Sequence, residues 1–254
     1  MVEGLLRMSI SPHAIVSPGA VLGRNVTVGP WTLIHSNTVL GDNTTIESHC
    51  EIGHPTPLAE GRGLVIGADS LIRSHSVFYE GSTFGPGLVT GHRVTVRERL
   101  EAGVGLQIGT LSDFQGHATI GDYVRTHSNV HIGQGSKIGS FVWIFPYTVL
   151  TNDPHPPSEV RLGVTVEDYA VIATMVVLLP GVTVGSRSLV GAHSLVSRDV
   201  PSGMVAAGVP ARVVSDAREI SMRDGSGRPA YPWTRHFHRG YPEERVREWM
   251  AELP

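Results

Sequence analysis

The side chains best suited to proton transfer cluster in the middle of this chain. Of its 13 histidines, His117, His127 and His131 lie close together, and His155 follows in the segment Thr151-Asn152-Asp153-Pro154-His155-Pro156-Pro157. An imidazole changes charge near neutrality, so it can take a proton from an attacking amine or hydroxyl when a carboxylate holds its tautomer. Asp113 stands 18 residues before His131 and is the candidate for that carboxylate. His127 is a second candidate base. Asn129, Asn152, Asp153 and His117 are the candidate substrate contacts, because amides, carboxylates and imidazoles can donate to or accept from a polar substrate. Other chemistries are thinly supplied. One cysteine, Cys50, excludes an intrachain disulfide and any cysteine-cluster metal site, and Lys137 is the only lysine, leaving a Schiff base one possible carrier. No metal is expected.

Asp113 and His131 can meet only if the elements that carry them repeat, and the chain does repeat with a period of six. One register of apolar residues runs from Ile10 to Ile52, a second from Ile66 to Leu150 and a third from Val166 to Val196, with threonine replacing the apolar residue at positions 90 and 126. The residue after each key position is often glycine, and the fifth of each hexad is small or β-branched. A helix would need apolar spacings of three and four, so the strict six means short strands joined by turns. Three hexads make one triangular coil, and residues 18 apart then stack at the strand spacing of about 4.8 Å. On that ruler the key and fifth residues point inward and the sixth outward. Asp113 and His131 are both sixth-position residues in one outward column, whereas Cys50 is a small buried fifth-position residue. Eight extra residues between Ile52 and Ile66 and ten between Leu150 and Val166 make two loops, 53–65 and 151–165. They are five coils apart and should leave the same corner, about 24 Å apart along the axis. The second should emerge one coil from His131.

This hexad pattern resembles the hexapeptide-repeat family, whose fold is a left-handed parallel β-helix. The resemblance implies an all-β triangular prism over residues 1–203, then barrel closure and a C-terminal tail over 204–254. The tail should end in an α-helix near 242–253, where Pro242, Glu243 and Glu244 suit a helix start and Val246, Trp249, Met250 and Leu253 form an apolar stripe. The second loop is similar to the Thr-Asn-Asp plus proline loop of family members that N-acylate nucleotide-linked amino sugars; those often place arginine after the proline, where this chain has Ser158. Ala207-Gly208-Val209-Pro210-Ala211-Arg212 resembles the closure of the coenzyme A-dependent members. The resemblance therefore implies an acyl-CoA co-substrate, acetyl-CoA in the simplest case, and a nucleotide-linked deoxyamino sugar as acceptor. It implies Arg187, Arg198 and Arg212 as cations for the coenzyme's phosphates. It also implies a homotrimer with active sites at subunit boundaries, built on outward apolar residues such as Val77, Val89, Trp143 and Val149.

Composition narrows the field further. The 30 glycines, about 12% of the chain against an ordinary ~7%, fit a fold made of corners. A formal charge of −3 argues against non-specific nucleic-acid binding, and no apolar run reaches the ~18 residues of a membrane helix. A cytoplasmic protein is expected. Transfer to a sugar hydroxyl is the alternative chemistry. A zinc lyase resembling the γ-type carbonic anhydrases would use His127 and His131 as ligands, but their spacing is four rather than that family's five. A non-catalytic scaffold is the third class.

Overall fold

The computed structural model describes residues 9–231 and 241–252. Its strands are mostly two residues long and build three sheets of twelve, ten and nine strands, parallel except for the last strand of the twelve-strand sheet, and within the prism every third strand pairs in sequence order. The pairing is the ruler made visible: Ser9 lies against Thr27, Thr27 against Thr45, and Asp113 against His131. Where the chain carries its insertions the offset lengthens accordingly, from Thr45 to Leu71 and from Lys137 to Thr165. Both loops leave the ten-strand sheet, after strands Glu51–His54 and Val149–Leu150. The fold is a left-handed parallel β-helix.

Each strand is short because the chain must turn at every corner. The turn residue sits in the left-handed region, with φ near +60° at Asn25, His49, Asn129 and sixteen other non-glycine positions. Inward key residues fill the prism as one column in which Ile34, Ile52, Phe78, Phe114, Ile132 and Leu150 are fully buried. Fifth positions are buried too, and their hydroxyls are satisfied by corner backbone: Ser112 Oγ donates to the carbonyl of His127 at 3.1 Å and accepts from the amide of Val130 at 3.2 Å.

At the C-terminal end the closure is an antiparallel hairpin, Met204–Gly208 with Ala211–Asp216, whose first strand pairs with Leu189–Val190. The second strand and a short 3-10 turn at Ala217–Glu219 occupy a stretch in which the sequence shows no period. The helix spans Glu243–Glu252 and begins one residue later than expected, with the carbonyl of Pro242 accepting from the amide of Val246. Val246 packs on the prism, while the side chains of Trp249 and Met250, and all of Leu253, lie outside the described residues.

One expectation about the outer surface changes. Trp143 was placed with residues free to meet a neighbouring subunit, but its indole N–H donates to the Tyr241 hydroxyl at 2.7 Å. Tyr241 is buried against Tyr123, Phe141 and Trp143, and Arg125 lies over both the Tyr241 and Trp143 rings. The tail therefore covers part of the twelve-strand face. The hexad pattern could not show this, because the contact joins residues 98 apart with no period between them.

The interior yields a direct check on packing. Burial pushes the Cys50 thiol up to about 11 and leaves it 2% exposed. The folded protein should resist a disulfide reagent at pH 8 and release one thiol equivalent only on denaturation; rapid labelling of the native state would show that the coil around Cys50 opens.

Candidate active site

His131 opens strand His131–Ile132 on the ten-strand face, and Asp113 opens the strand below it. His131 Nδ1 lies 3.0 Å from Asp113 Oδ2. With Nδ1 donating to the carboxylate, the other ring nitrogen keeps its lone pair, which is the tautomer a general base requires. The same Oδ2 accepts from the side-chain amide of Gln115, and Arg97 adds a positive charge nearby. Half-burial of Asp113 works against its charge, yet the hydrogen bonds from His131 and Gln115 together with the cations hold its carboxyl below the usual range. It is an anion throughout the range in which imidazoles titrate.

Gln115 and Arg97 were not singled out from sequence. Each immediately follows a buried key residue, Phe114 and Val96, and they stand 18 apart, so the same ruler sets them in a second column beside the one that joins Asp113 to His131. Arg97 further binds Glu98, a fully buried carboxylate, at 3.2 Å.

The second loop begins directly above. Val149 pairs with His131, and Asn152 passes over Gly133, where a Cβ would stand 2.7 Å from the Leu150 carbonyl oxygen and 3.2 Å from the Asn152 Cβ. Glycine at 133 is thus a condition for the loop's seat. The Asn152 carbonyl accepts from Leu162 at 2.8 Å and closes the loop. Asp153 is turned inward on the loop itself: it accepts from the amides of His155 and Ser158 at 3.0 and 2.8 Å and from the Ser158 hydroxyl at 2.6 Å, with Arg161 at 3.7 Å. Bonds from Ser158, above all its hydroxyl, keep the Asp153 carboxyl below its ordinary range. Asp153 is therefore an organiser of the loop, and Ser158 is its partner.

The other candidates are dispersed. His127 lies around the corner, its ring stacked on Phe145 at 4.6 Å and tilted to Trp143. Asn129 occupies the corner between His127 and His131 at φ 59°, and His117 is exposed at a corner with φ 46°. Arg198 and Arg212 line one cleft of about 120 Å³ at the C-terminal end, with Asp199 and Val213, whereas Arg187 stands apart over the Tyr169 ring at 5.3 Å. A depression of about 380 Å³ lies on the nine-strand face around Lys137, Glu167 and Asp168, away from Asp113 and His131. The Asp113–His131 pair sits on a face open to solvent. Among the described residues no helix is long and apolar enough to cross a membrane.

A prism of stacked hexads bearing its polar chemistry on one outer face defines a left-handed parallel β-helix protein, and the comparisons agree. The bacterial transferase hexapeptide (six repeats) family model matches residues 19–54. Galactoside O-acetyltransferase of Escherichia coli (strain K12) is 36% identical over 124 residues, 40% of this chain and 60% of that protein. A 2,3,4,5-tetrahydropyridine-2,6-dicarboxylate N-acetyltransferase of Staphylococcus aureus (strain JH9) is 36% identical over 95 residues, 37% of this chain and 34% of the other. This chain therefore spans less than two thirds of either relative. The crystal structure of Arabidopsis UDP-N-acetylglucosamine acyltransferase superposes with a TM-score of 0.70 at 23% identity, over 96% of this chain and 88% of that one.

His127 supplies a test of the site's electrostatics. Burial, and secondarily the charge of Arg125, hold its proton affinity below that of a free imidazole. The unfolded chain then takes up a proton that the folded chain refuses, so the stability of the neutral stacked ring is present above the ordinary histidine range and is lost as pH falls through it. His127→Phe keeps a ring on Phe145 and should show a smaller drop in Tm than wild type between about pH 7.5 and 5.5. Equal drops would mean that His127 is not desolvated.

Proposed function

We propose that this chain is an acyl-CoA-dependent acyltransferase, with acetyl the simplest donor, acting on the amine of a nucleotide-linked deoxyamino sugar. The observation that carries the reading is the Asp113–His131 pair lying one coil below the loop that starts at Asn152. Support for acyl transfer as the class comes from the two acetyltransferase relatives. Support for the acceptor comes from the likeness of the Thr151 to Pro157 loop to that of amino-sugar N-acyltransferases. The neutral amine attacks the thioester carbonyl, the oxyanion forms and collapses, and the coenzyme leaves as a thiolate. His131 takes the amine's proton, Asp113 fixes the ring, and Asn152 with neighbouring main-chain amides stabilises the oxyanion. Arg198 and Arg212, which line one cleft, take the coenzyme's phosphates in this reading, with Arg187 a separate surface cation. Asn129 and His117 remain acceptor contacts, Asp153 acts through the loop, and His127 contributes as a neutral ring.

A hydroxyl acceptor is the second reading. One of the relatives is named for O-acetylation, and a hydroxyl depends on a base more than a partly unprotonated amine does. A panel of dTDP- and UDP-amino sugars assayed with acetyl-CoA, following thiol release and the site of acylation, tests both. No turnover with any amino sugar, together with turnover of a plain sugar, would move the assignment to O-transfer.

The assembly belongs to the same proposal. A homotrimer would set the exposed ten-strand face, with Val77 and Val149 on it, at a subunit boundary and cover a site that one chain leaves open. Sedimentation should give three times the chain mass of 27.3 kDa; a monomer at micromolar concentration would defeat the shared site.

Substitution separates proton transfer from positioning. His131→Ala should lower turnover roughly 10²–10⁴-fold, and Asp113→Asn less, because the base itself survives. Since Asp113 stays ionised well into acid, the acidic limb of the activity profile should follow a histidine. Asn152→Ala should reduce turnover with little change in Tm. If His131→Ala and His127→Ala each keep more than about a tenth of the activity, binding alone supplies the rate and the histidines are substrate contacts.

A further inference from the structure

The other histidine cluster lies on the same ten-strand face, at the base of the first loop. Glu51 opens strand Glu51–His54, and its Oε1 lies 2.9 Å from His35 Nε2 and 2.7 Å from His54 Nδ1. The three donor atoms all fall within 4.8 Å of one another, the one such group of histidine, cysteine and carboxylate side chains among the described residues. Position alone does not produce it. The regular register would set residue 53 opposite Tyr79, but the strand bulges and Tyr79 pairs with His54 instead. The bulge depends on Gly53, at φ +81°, where a Cβ would lie 2.1 Å from the Thr38 hydroxyl. A break in an otherwise strict repeat thus turns a second imidazole onto a carboxylate that already holds one.

We propose that His35, Glu51 and His54 form a binding site for a divalent transition-metal ion, zinc fitting it best. Two imidazoles and a carboxylate are the donor set that zinc takes in sites with three protein ligands and one open position. Bonds of about 2.1 Å from a tetrahedral ion put ligand atoms about 3.4 Å apart, so the Glu51 carboxylate has to draw back by about 0.5 Å from the His35 ring and about 0.7 Å from that of His54. Each imidazole moves its proton to the nitrogen that does not bind, and no proton need leave the protein. The ring of Tyr79, 4.6 Å from that of His54, walls one side. The ligand side chains are between 24 and 38% exposed, which leaves the fourth position open to water or to an anionic group of a ligand on this face. Three strand steps, about 14 Å, separate Glu51 from Asp113, so the ion could not share a reacting atom with His131. The site stands whether or not the acyltransferase reading does.

The test uses chelator-stripped full-length protein. Equilibrium dialysis against Zn²⁺ should load one ion per chain, raise Tm, and, with Co²⁺ in its place, give the visible absorption of a tetrahedral site. Glu51→Gln, which keeps the shape of the residue, and His54→Ala should each weaken binding by about 10-fold or more, whereas His155→Ala, at an exposed loop position, should leave it unchanged. Binding weaker than about 10 µM, or binding of equal strength in wild type and Glu51→Gln, would overturn the proposal and leave Glu51 as a carboxylate shared by two imidazole donors.

Discussion

Everything in this molecule depends on the hydrogen bond made at each corner. The corner residue is held at φ near +60°, a conformation that costs a side-chain-bearing residue roughly 1–2 kcal/mol, and the chain adopts it at nineteen non-glycine positions. The amides of those corners are regularly bonded to the coil below: Asn43 donates to the Arg24 carbonyl, Leu111 to His92, Asn129 to Thr110 and Tyr147 to Ser128. A corner therefore cannot relax without breaking the ladder on both sides. Rigidity at the corners holds outward side chains in columns, and a column is what brings a carboxylate in one hexad under an imidazole in a hexad 18 residues on.

The same constraint decides which parts of the structure were legible in the sequence. Whatever repeats at 18 could be read: the buried key column, the paired insertions on one sheet, and the contact of Asp113 with His131. Gln115 and Arg97 were legible by the same rule and were overlooked because glutamine and arginine on an outer face look like solvated surface. Asp153 was read by its type as a substrate contact, whereas its partner Ser158 lies within the loop, where no period operates. His54 lay beyond the ruler altogether, since the bulge at Gly53 moves it by one place. The tail is the extreme case, for nothing in the hexads indicates that Tyr241 reaches Trp143.

Departures from the repeat are therefore more informative than the repeat. Gly133 and Gly53 are both position-two residues on the ten-strand face, and both are glycine for reasons of contact. At 133 the missing side chain admits the start of the second loop beside His131; at 53 it permits the bulge that brings His54 to Glu51. Each loop is thus attached where glycine gives it room, and each attachment point carries a histidine paired to a carboxylate.

The three faces then divide the work. The twelve-strand face buries aromatic side chains under Tyr241 and Val246, which commits part of it to the tail. The nine-strand face begins with Val21, Val39 and Val65 and continues through threonines interrupted by Glu101 and Lys137, with a shallow depression around Lys137. The ten-strand face carries a continuous run of polar and aromatic side chains between the loops: His35, His54 and Tyr79, then Arg97 at 5.9 Å from the Tyr79 ring, then Gln115 beside Asp113 and His131. That run joins the bases of the two loops along about 24 Å of the axis. A single hexad could not provide such a run, and a stack of identical coils is the simplest scaffold that keeps such distant side chains in line.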